Sequence, residues 1–76
     1  MGLFTKKEDK SYLVFDIYTG DIVASCVTKE VKQILQVQPK AQFVECNSYE
    51  FFKYKEHGQV PLDIENRPKL TGKEVK

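Results

Sequence analysis

The sequence predicts a small α+β domain, and three observations support this class. Residues 12–27 are rich in β-branched and aromatic side chains around a Thr19-Gly20 turn, which is typical of two hairpin strands. Residues 28–37 space their apolar side chains at helical intervals. The chain has 76 residues, which is enough for one domain, and its 41% apolar and 30% charged residues are ordinary for a globular protein.

Composition divides the chain into three parts. We expect a flexible leader at residues 1–11, the α+β domain at residues 12–58 and an extended to disordered tail at residues 59–76. The leader mixes lysines and acids without an apolar period. Apolar residues up to Ile64 can lie along the sheet as one extended edge segment, and from Asn66 onward the composition predicts disorder.

The hairpin has two possible registers. A two-residue Thr19-Gly20 loop gathers apolar pairs on one core face and leaves the other face partly solvated; the pairs are Ile17 with Ile22, Phe15 with Ala24, and Leu13 with Cys26. A three-residue loop from Tyr18, with Gly20 in a bulge, shifts the pairing by one residue and exchanges the inward side chains of the second strand. The first register is preferred for its cleaner apolar face. We expect Gly20 to take a positive φ, which glycine adopts without strain.

A helix is predicted from Thr28 to Val37. Thr28 can accept a backbone hydrogen bond as the N-cap, and Glu30 in the first turn is favoured by the helix dipole. The spacing turns Val31, Ile34 and Leu35 inward and leaves Lys29, Lys32, Gln33 and Gln36 outside. Pro39 disfavours a helical residue before it, so the helix should end by Val37.

Two later segments each allow a strand or a helix. Residues 40–47 (KAQFVECN) fit a short strand or a short helix that starts at Pro39. Residues 49–55 (YEFFKYK) fit a strand that closes the sheet, or a helix with Ser48 as its N-cap and Gly58 as its stop. The predicted order is therefore a β-hairpin, a helix, a short helix or strand, and a closing strand.

The chain lacks the residue patterns of catalytic and metal sites. Cys26 and Cys46 lie in no metal or redox pattern and are expected to be buried, reduced thiols, and His57 is expected on the surface. Acids are scattered and glycines occur singly. These features predict a non-enzymatic protein without cofactor, metal or small-molecule substrate. With no signal-peptide pattern and no apolar run near eighteen residues, the prediction is a cytoplasmic protein without membrane contact.

Three short motifs within residues 14–55 follow one another in a familiar order. They are the hairpin VFDIYTGDIV, the helix with Leu35 and Val37 at apolar positions, and YEFFKY. This order resembles a small modular helix-turn-helix-like DNA-binding domain found beside homing endonucleases and in short phage proteins. The chain departs from that family where Gln36 replaces a usual glycine and Gln42 stands at an expected apolar position.

The resemblance implies duplex DNA as the partner. Residues 38–47 would form the helix that enters the groove, with Lys40 and Gln42 as its exposed polar ends. The phosphate contacts would come from Lys29, Lys32, Lys53 and Lys55. Residues 12–58 carry five lysines against six acids, a net charge of −1, which counts against strong nonspecific binding. Solvated lysines without a ligand are the alternative interpretation.

A second hypothesis is a protein-interaction module, such as a small phage or mobile-element protein that binds a host protein. It rests on the number of aromatic side chains, which exceeds what a small core easily buries. The candidate contact residues are Tyr12, Tyr18, Tyr49, Phe52 and Tyr54.

Overall fold

The computed structural model describes residues 10–75 and confirms the α+β class. The elements are β1 (Ser11–Asp16), β2 (Asp21–Val27), α1 (Val31–Val37), β3 (Gln42–Cys46), α2 (Ser48–His57) and β4 (Leu70–Thr71), with 3₁₀ turns at Thr28–Glu30 and Ile64–Asn66. The strands form one antiparallel sheet in the order β2-β1-β3-β4. Most of the predicted leader, residues 1–9, lies outside the described residues.

The β1–β2 hairpin turns through four residues, Ile17 to Gly20. The Gly20 amide donates to the Asp16 carbonyl at 2.8 Å, and the Asp16 carboxylate accepts from the Tyr18 amide at 2.8 Å. Gly20 has the expected positive φ, at 77°. The turn therefore contains Thr19 and Gly20 as predicted, but it is longer than either loop considered from the sequence.

The preferred hairpin register is wrong. Val14 pairs with Ala24, so Phe15 does not, and this part of the ladder matches the shifted alternative. A β-bulge after Val14 then changes the register again, so that Phe15 pairs with Ile22 and Val23 is the extra residue.

Both faces of the sheet are covered along β1, so the face expected to be partly solvated is buried at Tyr12 and Val14, whereas Asp21 and Val23 of β2 stay exposed. One face, called the α1 face below, packs around Val31 of α1; its other buried residues are Tyr12, Val14, Cys26, Ala41 and Phe43. The opposite face, the α2 face, packs Leu13 and Cys46 against Phe51 of α2. The sheet is thus the middle of three layers, which is why both sets of β1 side chains are apolar.

Helix α1 confirms the predicted helix but begins differently. A 3₁₀ turn precedes it, and Val27 rather than Thr28 is the residue before that turn. The Thr28 hydroxyl instead accepts from the Lys10 amide at 2.8 Å, which ties the start of β1 to the end of β2. The Glu30 carboxylate accepts from the Val27 amide at 3.0 Å. The helix ends at Val37, as expected.

The two ambiguous segments form a strand and a helix. Residues 42–46 form β3, whereas residues 49–55 lie inside α2, so the predicted closing strand is wrong. Asn47, not Ser48, is the N-cap: its side chain accepts from the Glu50 amide at 2.8 Å, and the Glu50 carboxylate accepts from the Asn47 amide at 3.1 Å. Gly58 ends α2 with a φ of 68°. This capping box outweighs the strand preference of the aromatic residues.

The C-terminal segment takes part in the fold beyond Asn66, where disorder was expected. Leu70 of β4 pairs with Phe43 of β3, and Gly72 lies so close to the Leu35 side chain that a Cβ there would clash. Ile64 lies in a 3₁₀ turn and Leu62 is fully exposed, so the expected edge segment is not formed. The fourth strand comes from later residues.

An ion pair between Arg67 and Glu50 joins this segment to α2. Its guanidinium donates to both carboxylate oxygens of Glu50, at 2.9 and 2.6 Å, and its Nε donates to Asp63 at 3.2 Å. The same Glu50 carboxylate closes the capping box with Asn47. One acidic side chain therefore joins the start of α2 to a residue seventeen positions later.

Candidate binding surfaces

The lysines predicted to contact DNA lie in two groups, in opposite layers of the molecule. Lys29, Lys32 and Lys40 belong to the 3₁₀ turn, α1 and the loop that follows it. Lys53 and Lys55 belong to α2. Because α1 and α2 cover opposite faces of the sheet, the two groups do not form one continuous basic surface.

The helix expected to enter the DNA groove is absent from residues 38–47, and that prediction is wrong. The segment is occupied by β3, which pairs with β1 on one side and with β4 on the other. Gln42, expected as an exposed polar end of that helix, lies half-buried between Phe15 and Thr71 in the sheet. A strand paired on both sides cannot present itself to a groove as a helix does.

The local charge differs between the two layers. Residues 28–41 carry three lysines against Glu30, a net charge of +2, and all three lysines are exposed. Residues 48–57 carry two lysines against two glutamates and are neutral. On α2 the ammonium of Lys53 lies 5.6 Å from the centre of the Tyr49 ring, and that of Lys55 lies 5.6 Å from the centre of the Phe51 ring. The α1 layer is therefore the basic one.

The aromatic candidates also separate, because two of them belong to the interior. Tyr12 is only 2% exposed and lies in the α1 face, so its prediction as an interface residue is wrong. Tyr54 is half-buried, and its hydroxyl donates to the Ile22 carbonyl at 3.4 Å. Tyr18 is exposed at the hairpin turn, away from the exposed residues of α2.

Tyr49 and Phe52 form an exposed aromatic surface on α2. They are 68% and 55% exposed, and they lie three residues apart, on one side of the helix. Lys53 and Glu56 continue the same side at helical spacing, and these four residues are called the α2 aromatic face below. The opposite side of α2 sends Phe51 into the sheet.

A groove that the sequence did not indicate runs between β2 and α1. Its volume is about 310 Å³, and it is lined by Val14, Val23, Ala24, Gln33, Ile34, Val37 and Gln38. Val37 is 80% exposed at its rim, and Val23 is exposed as well. A second cleft of about 250 Å³ adjoins it at the hairpin turn, where Ile17, Tyr18 and Pro39 take part in its lining. The sequence placed Val23 on a strand, but only the bulge turns it toward this groove.

The two thiols are buried and weakly acidic. Burial, followed by the charge of Glu30, raises the pKa of Cys26 to about 12. Burial, followed by the charge of Glu50, raises the pKa of Cys46 to about 11. Both thiols are therefore protonated at neutral pH, and a thiolate nucleophile is not available at either position.

No group of three or more His, Cys, Asp or Glu side chains within residues 10–75 is placed to hold a metal ion. His57 is exposed and lies 3.8 Å from the Glu56 carboxylate. Neither α1 nor α2 has the length and apolar character needed to cross a bilayer.

Comparisons of this chain with protein-family models, with curated proteins and with solved structures found no match.

Proposed function

We propose that this chain is a small non-enzymatic binding module that recognises a protein partner through the α2 aromatic face. The observation that carries the proposal is the exposure of Tyr49 and Phe52, one helical turn apart. Exposed aromatic pairs are frequent anchors of protein interfaces, because each ring buries a large apolar area at a small loss of side-chain entropy.

The neighbouring side chains support the same role. Lys53 and Glu56 provide a polar border beside the two rings, as is usual at the rim of a protein interface. The ammonium of Lys53 packs on the Tyr49 ring, which favours one orientation of that ring before a partner arrives.

The anchoring of α2 also supports this proposal. The capping box of Asn47 and Glu50 and the ion pair of Arg67 hold the first turn, which carries Tyr49. A surface that is already ordered loses less conformational entropy on binding than one that must first become ordered.

The proposal is tested by site-specific photo-crosslinking in cells that express the chain. A benzophenone amino acid replaces Phe52 in one variant and the fully exposed Leu62 in a control. We expect one discrete crosslinked protein from position 52 that disappears when excess wild-type chain competes, and no such product from position 62. Equal, non-competed labelling from both positions would contradict the proposal.

Purified partner then allows the anchors to be measured. Tyr49→Ala and Phe52→Ala should each weaken binding by more than about 1 kcal/mol, as interface aromatics do. Tyr18→Ala is the matched control, because Tyr18 is an exposed aromatic away from α2. If Tyr18→Ala alone lost binding, the interface would lie at the hairpin turn and not on α2.

Duplex DNA is the second candidate partner, favoured by the +2 charge of residues 28–41. Three phosphate contacts from Lys29, Lys32 and Lys40 would give a salt slope of about −2.7 in log K against log salt. We expect Lys32→Ala to reduce the magnitude of that slope by about one unit. Lys55→Ala, in the opposite layer, is the control and should leave the slope unchanged. Absence of binding to mixed duplex DNA at low salt would exclude this candidate.

A further inference from the structure

The outer edge of β2 is the longest open strand edge in residues 10–75. β2 has seven residues and stands at one end of the sheet order, whereas β4 at the other end has two. An edge strand presents unpaired N–H and C=O groups that another strand can satisfy. The edge alone, however, does not identify the strand that would pair with it.

The groove beside this edge is uncharged and partly apolar. Its lining side chains include Val23, Ile34 and Val37, and none of the lining residues carries a charge. The bulge places the extra residue, Val23, beside Ala24 in this lining. A molecule paired with β2 would therefore also cover apolar surface on the α1 face.

The charges at the two ends of β2 distinguish between possible occupants. Asp21 begins the strand, Lys29 follows its end, and residues 22–28 carry no charge. When two copies of β2 lie antiparallel, Asp21 of each copy comes near Lys29 of the other, and the contact occurs twice. A parallel arrangement would instead place like charges side by side. Self-complementarity of this kind is what an interface with two-fold symmetry requires.

We propose that β2 is the docking edge for a second copy of this chain, paired antiparallel about a two-fold axis. The two sheets then join into one, and both α1 helices lie on the same side of it. The formal net charge of +1 leaves little long-range repulsion between copies. The bulge restricts regular pairing to residues 24–27, so the apolar groove supplies the rest of the contact.

The inference is tested by the mass of the full chain in solution. Sedimentation equilibrium up to about 1 mM protein, which detects association as weak as −4.1 kcal/mol, should show the mass rising from 8.8 kDa toward twice that value. Amide exchange of residues 24–27 should slow over the same concentration range. A monomer at every concentration would overturn the inference.

Charge exchange tests the arrangement of the two copies. Asp21→Lys and Lys29→Asp should each weaken the dimer at least about tenfold, because like charges then face each other. The double variant restores opposite charges and should return to within about threefold of the wild-type affinity. Failure of the double variant to recover would overturn the antiparallel arrangement.

A second variant tests the groove without disturbing the core. Val37→Lys places an ammonium group at the rim of the apolar groove and should abolish the dimer, while Leu62→Lys, at a fully exposed position outside the groove, should have no effect. Circular dichroism confirms that both variants are folded. A dimer that persists in Val37→Lys would place the interface elsewhere and overturn the inference. The α2 aromatic face lies in the other layer, so this result does not depend on the proposed protein partner.

Discussion

Helices α1 and α2 cover opposite faces of one sheet, but they are fixed in place by different means. α1 has seven residues and no side-chain cap of its own, and its contacts come from Val31, Ile34 and Leu35 on the α1 face. α2 has ten residues, a capping box and a left-handed Gly58 at its end. Isolated helices of either length are marginal in water. α1 therefore depends almost wholly on packing, whereas α2 adds local hydrogen bonds and the Arg67 ion pair.

This difference has a functional side. The helix with the stronger local anchoring is the one that exposes two large aromatic side chains. The helix without that anchoring has lysine and glutamine side chains outside, together with the exposed Val37 at its end. Local anchoring lets α2 keep its shape while its outer apolar residues face water, which is the property that the proposed interface requires.

The largest expected effect on the free energy of unfolding comes from truncating the buried side chain that packs each helix against the sheet. Phe51→Ala removes the buried ring that joins α2 to the sheet and should lower the free energy of unfolding by about 3 to 5 kcal/mol. Val31→Ala, the matched change on α1, should lower it by about 1.5 to 3 kcal/mol. Urea denaturation measures both values. A larger loss for Val31→Ala than for Phe51→Ala would show that the Phe51 ring is not the main packing contact of α2.

The next effect comes from the ion pair between Arg67 and Glu50 of α2. Arg67→Met leaves Glu50 without its charged partner and should lower the free energy of unfolding by about 1.5 to 3 kcal/mol, the range for hydrogen bonds to charged groups. Lys73→Met is the control, because Lys73 is an exposed cation on the same segment. Equal losses in the two variants would show that the pair adds nothing to ordinary surface charge.

The same ion pair predicts a dependence on pH. The hydrogen bond from Arg67 lowers the pKa of Glu50 in the folded protein. Because the folded pKa is depressed, the stabilisation is fully present above the ordinary glutamate pKa and is lost as the pH falls through the lowered value. Urea midpoints measured from neutral to acid pH should fall less steeply in Arg67→Met than in the wild type.

The cap of α2 gives a smaller effect with a close control. Asn47→Ala removes the side chain that accepts from the Glu50 amide and should cost about 1 kcal/mol. Ser48→Ala, one residue later, should change the free energy of unfolding by less than about 0.5 kcal/mol. A larger loss for Ser48→Ala than for Asn47→Ala would show that Ser48 is the N-cap, as the sequence first indicated.

The smallest effect is a difference in thiol accessibility between the two faces. Cys26 lies in the α1 face and Cys46 in the α2 face, so single-cysteine variants report on each layer separately. Under conditions in which every local opening leads to labelling, so that opening and not the thiol pKa sets the rate, we expect Cys26 to react faster than Cys46, because local opening of α1 breaks fewer fixed contacts. Faster labelling of Cys46 would reverse the proposed ranking of the layers.

The two thiols also predict a dependence of stability on alkaline pH. Both pKa values are raised by folding, so the free energy of unfolding should fall as the pH rises above the ordinary cysteine range.

The hairpin shows how far the sequence could predict the fold. It located the two strands, the positive φ of Gly20 and the end of α1 at Val37. The register could not be obtained from alternation, because alternation distinguishes a buried face from a solvated one, and both faces of β1 are buried. Only the turn and the bulge after Val14 fix it.

Whether residues 48–57 form a strand or a helix determines which side chains share the exposed surface. In a strand, Tyr49 and Phe51 share a face, whereas in α2 Tyr49 and Phe52 share the exposed side. Asn47 followed by Glu50 is the sequence signal for this helix start, but the prediction considered only Ser48 as the cap. The contact of Arg67 with Glu50 had no such signal, since it joins residues seventeen positions apart.

The central position of β1 has a consequence for synthesis on the ribosome. β1 emerges before its two neighbours, and β2 follows after a four-residue loop. The strand that pairs with its other side, β3, is synthesised much later, since Phe15 pairs with Gln42. At ordinary translation rates this interval lasts about one to five seconds. During it, the nascent hairpin exposes an unpaired edge of its most apolar strand, so this is the interval in which we expect chaperones or neighbouring nascent chains to engage the protein.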